Sequence, residues 1–167
     1  MDIDISTLPT PSYLVDQRLL IKNLELLASV KERTGCKILL AQKAFSMFSV
    51  YPLIAKYLDG VTSSGVMEAR LGYEEMGKEV HTYAPAFAEH EMDDVIRYSD
   101  HIVFNSFHQW NKFKDKVKSS GKQIECGLRL NPKYSEIDTD IYNPCFTGSR
   151  LGITPEQFQP DQLDGID

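Results

Sequence analysis

The chain has 167 residues, of which 42% are hydrophobic and 25% are charged, and its formal net charge is −6. This composition is ordinary for a globular domain, and the acidic balance argues against nucleic acid as the main partner. No apolar run approaches the roughly 18 residues that span a bilayer, and the acidic N-terminus lacks the basic and apolar regions of a signal peptide. We therefore expect a cytoplasmic protein without a membrane partner.

Apolar runs in the first part of the chain predict a strand, a helix and a second strand. The short run at residues 11–16 predicts an isolated strand. Asp16 can cap a helix that extends to about Thr34, and Gly35 can end that helix. Residues 37–42 predict the next strand, and Lys43 follows that strand directly.

Helices and strands are predicted to alternate through the rest of the chain. Helical periodicity occurs in four further segments, at 50–58, 67–76, 91–99 and 106–121. The remaining apolar runs predict strands at 60–64, 79–85, 101–106 and 124–132. Ser106 and Gln109 have the spacing of a capping box, which marks the start of the last of these helices.

Regular alternation of strands and helices predicts a parallel sheet covered by helices. Two architectures fit, a doubly wound open sheet and a (β/α)8 barrel. No glycine-rich nucleotide fingerprint follows the first strand, which favours the barrel. Five strands, with a possible sixth starting at residues 163–167, are too few to close a barrel. We interpret the chain as the N-terminal part of a longer protein, with a complete five-stranded open sheet as the alternative.

Chemistry in parallel β/α folds occurs at the C-terminal ends of the strands. The sequence places there an amine, several hydroxyls, a carboxylate and a guanidinium, together with two amides: Lys43, Thr62, Ser63, Ser64, Glu68, Tyr83, Asn105, Ser106, Arg129 and Asn131. A neutral lysine amine can attack a carbonyl, although most lysines that follow a strand are simply solvated. Glu68 taken alone is more typical of a surface acid paired with Arg70 or Lys78.

Arg129 and the segment that follows it are the less ordinary features of this rim. A charge flanked by Leu128 and Leu130 near a strand end needs a partner. The connection at 132–163 contains Asn143, Cys145 and Arg150, and connections of this length are often functional or disordered.

Cysteine and histidine usage indicates no metal site. The cysteines are odd in number and widely spaced, at Cys36, Cys126 and Cys145, which favours a reducing compartment. The histidines show no ligand spacing along the chain; they are His81, His90, His101 and His108.

Six segments in order resemble carboxynorspermidine (carboxyspermidine) decarboxylases, a family within the alanine racemase and ornithine decarboxylase group. They are TPSYLVD, CKILLAQKAFSMFSVYPLI, VTSSGVMEARLG, DHIVFNSFHQW, CGLRLNPKYSE and YNPCFTGSRLGI. The resemblance implies an α/β fold that is the N-terminal part of a TIM barrel binding pyridoxal 5'-phosphate (PLP), with about five strands present and the C-terminal β-domain absent. It divides the chain into an N-terminal strand and helix (1–36) and an incomplete barrel (37–167).

The resemblance also assigns roles to individual residues. Lys43 matches the catalytic lysine that binds PLP covalently, Glu68 a helix acid near that lysine, and Arg129 a strand arginine beneath the cofactor ring. Arg150 matches a loop position near the rim. Gln42 departs from the family pattern, in which an apolar residue precedes the lysine, and "SSGV" departs from a stretch of smaller residues.

The implied function is PLP-dependent decarboxylation of a polyamine precursor, carboxynorspermidine or carboxyspermidine, by a homodimer. The family's ring-stacking histidine, phosphate loop and substrate acids come later than Asp167. We therefore expect the 167 residues alone to be inactive and to expose an unpaired sheet edge. The alternatives are a diaminopimelate or ornithine decarboxylase, and a non-catalytic or truncated PLP-binding protein.

Overall fold

A computed structural model describes residues 4–167. The α-helices are α1 (Gln17–Thr34), α2 (Tyr51–Ile54), α3 (Val66–Leu71), α4 (Met92–Tyr98) and α5 (Phe107–Lys118). The strands are β1 (Leu39–Ala41), β2 (Gly60–Ser63), β3 (Glu79–Tyr83), β4 (His101–Phe104) and β5 (Glu125–Leu128). Every predicted helix is present, and five of the six predicted strands are. No helix among the described residues is both long and apolar enough to cross a membrane.

The exception is the isolated strand predicted at 11–16, which is absent from the structure. This segment has no ladder partner within residues 4–167, and Tyr13 is 93% exposed. An extended apolar run becomes a strand only when its backbone groups pair with a neighbour, which the sequence of the run itself does not specify.

The predicted helix ends follow from local hydrogen bonding. The Asp16 carboxylate accepts the Arg18 N–H at 2.9 Å and begins α1, and Gly35, at φ +70°, ends it. The Ser106 hydroxyl accepts the Gln109 N–H at 3.2 Å and begins α5. The reciprocal bond differs from a standard capping box, because the Gln109 side chain accepts the N–H of Asn105 rather than that of Ser106.

The five strands form one parallel sheet in the order β1-β2-β3-β4-β5. A doubly wound sheet requires a point at which the strand order reverses, and this sheet has none. Consecutive right-handed crossovers in a single direction place all the helices on one face, as in a barrel. The observed order therefore supports the barrel over the open sheet.

Alternate residues of each strand face opposite sides of the sheet. On β3, Val80 and Thr82 are fully buried towards the helices, whereas Glu79, His81 and Tyr83 lie on the opposite side, here called the inner face. The helix side carries two apolar clusters, one around Trp110 and Phe104 and the other around Tyr51 and Val61. Leu24 of α1 belongs to the second cluster, so this helix packs on the sheet.

Three aspartates make the same contact with a preceding strand, and we call this contact the aspartate clip: Asp59, Asp100 and Asp167. The Asp59 N–H donates to the Ile38 carbonyl at 3.0 Å, and its carboxylate accepts the Ile38 N–H at 2.8 Å. Asp100 holds Val80 in the same way, at 2.9 and 3.0 Å. Asp167 holds Cys126 at 3.0 and 2.8 Å, beside β5, where the sequence predicted the start of a sixth strand.

Candidate functional site

A cavity of about 750 Å³ opens at the C-terminal ends of the strands. Lys43, two residues past β1, and Arg129, directly after β5, both line it. The rest of the lining comes from the segment 137–151, including Asp140, Tyr142 and Arg150. The long connection of the sequence therefore forms one wall of the candidate site.

The position of Lys43 is fixed by a tight turn after β1. The N–H groups of Ala44 and Phe45 both donate to the Ala41 carbonyl, at 3.0 and 3.1 Å. The Lys43 side chain is exposed and, within residues 4–167, makes no hydrogen bond or ion pair. Its amine is therefore free to react with a ligand in the cavity.

Gln42 is the buried residue behind this lysine, and its side chain is 2% exposed. Its amide nitrogen donates to the Ser63 hydroxyl at 2.9 Å and to the Glu68 carbonyl at 2.8 Å. Its amide oxygen accepts from the Tyr51 hydroxyl at 3.2 Å. These bonds tie the end of β1 to β2, α2 and α3, which gives a physical reason for a polar residue at a position where the family pattern is apolar.

Glu68 lies near the start of α3, and its carboxylate accepts the Ser64 N–H at 2.7 Å. The side chain thus stabilises the loop that leaves β2. Glu68 is not among the residues that line the cavity with Lys43 and Arg129.

The sequence predicted that Arg129 needs a partner, and the structure gives it an aromatic one. Its guanidinium carbon lies 4.7 Å from the centre of the Tyr83 ring, a cation–π distance. No ion pair involves Arg129 within the described part of the chain. Its charge therefore remains available to an anionic ligand in the cavity.

Asn105 connects Tyr83 to the loop at 148–152. Its side-chain oxygen accepts the Tyr83 hydroxyl and the Gly152 N–H, both at 2.7 Å, and its amide nitrogen donates to the Arg150 carbonyl at 2.9 Å. Gly152 has φ +83°, and a Cβ atom there would lie 2.9 Å from the Leu130 carbonyl carbon. Glycine is therefore required for the loop to approach β5 this closely.

The structure thus brings Lys43, Arg129 and Arg150 to one cavity and leaves Glu68 outside its lining. The sequence did not indicate Asp140 or Phe146, which also line the cavity. The only signal for them was the length of the connection at 132–163, because no motif distinguishes a wall-forming loop from a solvated one.

No protein-family model matches this chain. It is 39% identical over 162 residues to a carboxyaminopropylagmatine decarboxylase of Synechocystis. This match covers 97% of this chain and 41% of that protein. It is 43% identical to a carboxynorspermidine/carboxyspermidine decarboxylase of Campylobacter jejuni, covering 95% of this chain and 40% of that protein. A Herminiimonas arsenicoxydans protein of the same name is 42% identical, over 94% of this chain and 43% of its own length.

Among solved structures, the chain matches carboxynorspermidine decarboxylase from Campylobacter jejuni complexed with norspermidine. The TM-score is 0.81 at 40% identity, over 95% of this chain and 40% of that chain. The chain thus spans about two fifths of the length of the relatives that it matches. The resemblance and the barrel fold class expected from the sequence are both confirmed.

Proposed function

This chain is homologous to two carboxynorspermidine/carboxyspermidine decarboxylases over 94–95% of its length, and we propose that the protein containing it decarboxylates carboxynorspermidine or carboxyspermidine in polyamine synthesis. The observation that carries the proposal is the shared cavity of Lys43 and Arg129 at the C-terminal ends of the strands. The norspermidine bound in the homologous structure supports a polyamine-like ligand for this protein.

The cofactor in this proposal is PLP, which carries an aldehyde and a phosphate. The cavity volume of about 750 Å³ lies within the roughly 300–1,000 Å³ range of small-molecule sites. A lysine amine without a partner suits the aldehyde, and an arginine without a carboxylate partner suits the negative charge of the cofactor. The residues present therefore fit PLP. When bound, PLP supplies the electron sink for the charge left on carbon as CO2 departs.

The residues of this chain have distinct roles in the proposal. Lys43 binds the cofactor covalently and can transfer a proton through its amine. Arg129 would offer its positive charge to the cofactor, in the orientation that the Tyr83 ring gives to its guanidinium. Glu68 acts on the site through the loop at Ser64 that it stabilises.

The test of the lysine assignment is Lys43→Ala in the full-length protein. The variant should lose decarboxylase activity and the visible absorbance of covalently bound PLP, while keeping its circular dichroism spectrum. Lys56→Ala is the matched control, because Lys56 is an exposed lysine elsewhere on the barrel surface. An unchanged PLP spectrum in Lys43→Ala would show that another residue binds the cofactor.

Substrate choice requires a separate assay, because one of the relatives is named for carboxyaminopropylagmatine. We expect the highest kcat/KM for carboxynorspermidine or carboxyspermidine, with carboxyaminopropylagmatine, diaminopimelate and ornithine as competitors. A higher value for one of the competitors would reassign the substrate. No turnover of any of the five by the PLP-loaded protein would favour a non-catalytic PLP-binding protein.

The proposal extends to assembly and organisation. We propose that the full-length protein is a cytoplasmic homodimer, which sedimentation at micromolar concentration tests. The boundary proposed between 1–36 and 37–167 falls in the loop between α1 and β1.

A further inference from the structure

A second polar cluster lies on the inner face, at the opposite end of the strands from the cavity. His81 of β3 and His101 of β4 are register partners, and their rings stack with centres 3.7 Å apart. Glu79 is two residues before His81 on the same face, and Glu125 of β5 is the register partner of His101. None of these four residues lines the cavity that contains Lys43.

We propose that Glu79, His81 and His101 form a binding site for a divalent transition metal ion, with Zn²⁺ as the best match. The candidate ligand atoms of the three residues all lie within 4.8 Å of one another. Two imidazoles and one carboxylate are a donor set that suits Zn²⁺, Co²⁺ and Ni²⁺ and is less suited to Mg²⁺ or Ca²⁺.

The distances support coordination after a small movement of the side chains. Tetrahedral Zn²⁺ with bonds of about 2.0–2.1 Å places neighbouring ligand atoms about 3.3 Å apart. The Glu79 Oε2 atom lies 3.2 Å from His81 Nε2 and 3.8 Å from His101 Nε2. The two Nε2 atoms therefore already lie around the same carboxylate oxygen.

Glu125 supplies the outer partner that metal-bound histidines usually have. Its Oε2 atom lies 3.0 Å from His101 Nδ1, so Nδ1–H donates to the carboxylate and leaves Nε2 as the ligand atom. Lys37 pairs with Oε1 of Glu79, and Oε2 accepts a hydrogen bond from His81 Nε2, which a bound ion would replace.

The charge balance favours a cation. With both histidines neutral, the two carboxylates exceed the single ammonium of Lys37 by one negative charge. A bound ion would connect β3 directly to β4, and to β5 through Glu125.

The test is Zn²⁺ titration of the metal-free full-length protein, by calorimetry and by the rise in melting temperature. A Cys36→Ser background removes the exposed thiol as a competing ligand. Wild type should bind one Zn²⁺ at this site, and His81→Gln or His101→Gln should weaken binding more than tenfold. Glu125→Gln should weaken it roughly 10- to 100-fold as an outer partner. His90→Gln and His108→Gln, at exposed histidines, should leave binding unchanged.

Co²⁺ gives a second readout that does not depend on the variants folding. Wild-type protein with Co²⁺ should show intense visible bands of a four- or five-coordinate site, and X-ray absorption of the Zn²⁺ form should show two imidazole ligands. Weak bands typical of six-coordinate Co²⁺ would overturn the proposal. Affinity that is equal in His81→Gln, His101→Gln and wild type would overturn it as well.

Discussion

Lys43 and Arg129 line the same cavity although they follow β1 and β5, the two edge strands of the five-stranded sheet. A flat sheet would hold these two strand ends apart by the width of three intervening strands. The segment 137–151 lines the cavity between them. The candidate site therefore draws on both edges of the sheet, and no single β/α unit contains it.

We expect the 167-residue chain, made alone, to show no decarboxylase turnover. The reason is that the ring-stacking histidine, phosphate loop and substrate acids implied by the family resemblance come later than Asp167. We also expect the chain to associate, because β1 and β5 each have an unpaired edge among the described residues. The assay is CO2 release with PLP and carboxynorspermidine, together with size-exclusion chromatography. Turnover comparable to that of the homologous enzymes would contradict this prediction.

Tyr83 variants separate the two contacts of this ring. Tyr83→Phe keeps the surface over which Arg129 lies and loses the bond to Asn105, so stability should fall by about 1 kcal/mol with little change in PLP affinity. Tyr83→Leu loses both contacts, and a cation–π interaction of about 0.5–1 kcal/mol predicts a further two- to fivefold loss of PLP affinity. Urea unfolding measures the first effect and PLP titration the second. Equal PLP affinity in both variants would show that the Tyr83 ring does not position Arg129 for the cofactor.

Gln42→Leu tests the buried amide behind the lysine. The substitution leaves the buried Ser63 hydroxyl without its partner and the Tyr51 hydroxyl with only the longer bond to the Phe45 carbonyl, which should cost about 1–3 kcal/mol of unfolding free energy. Gln123→Leu, at an exposed position, is the control and should change stability by less than about 0.5 kcal/mol. Similar values for the two variants would mean that the hydrogen bonds of Gln42 to β2, α2 and α3 do not stabilise the fold.

Asp100→Ala tests one aspartate clip. Loss of the carboxylate leaves the Val80 N–H unpaired and removes the ion pair with Lys122, so we expect a loss of about 1–2 kcal/mol in chemical denaturation. Asp93→Ala breaks only an exposed ion pair with Lys116 and should cost less than about 0.5 kcal/mol. An equal loss of unfolding free energy in the two variants would indicate that the aspartate clip stabilises the fold no more than an exposed ion pair does.

Cys126 gives a pH-dependent prediction. Burial, with a smaller effect of the nearby Asp167, raises the pKa of its thiol from 9.0 to about 11. Because the folded state holds this proton more tightly than the unfolded state, its contribution to stability is complete below pH 9 and is lost as pH rises towards 11. At pH 8, iodoacetamide should modify the exposed Cys36 well before Cys126, as mass spectrometry would show. Equal rates for the two thiols would contradict the burial of Cys126.

Elements specified by neighbouring residues were predictable from the sequence. The carboxylate of Asp16, the glycine at 35 and the hydroxyl of Ser106 mark helix ends through bonds within a few residues. Strand–helix alternation also predicted the parallel sheet, because a crossover helix returns the chain so that the next strand runs in the same direction. The segment at 11–16 was predicted wrongly, because pairing depends on a distant partner.

Features created by contacts across the sheet were not predictable. His81 and His101 are twenty positions apart with no ligand spacing, and only the register of β3 and β4 stacks their rings. The Tyr83 ring beneath Arg129 likewise depends on how three strands are arranged. The hydrogen bonds of the Gln42 side chain could not be predicted either, because their partners come from α2, β2 and α3.

The aspartate clip has a consequence for the evolution of this fold. Between Asp59 and Asp100 lie two compact β/α units, whereas the interval from Asp100 to Asp167 includes the long connection that walls the cavity. The clip is nevertheless the same at each position. The carboxylate binds the backbone N–H of the preceding strand, so it fixes the position at which the chain returns to the sheet. This position does not depend on the length of the connection before it. Loops on the reactive rim can therefore lengthen and diversify while the strands at the other end keep their alignment.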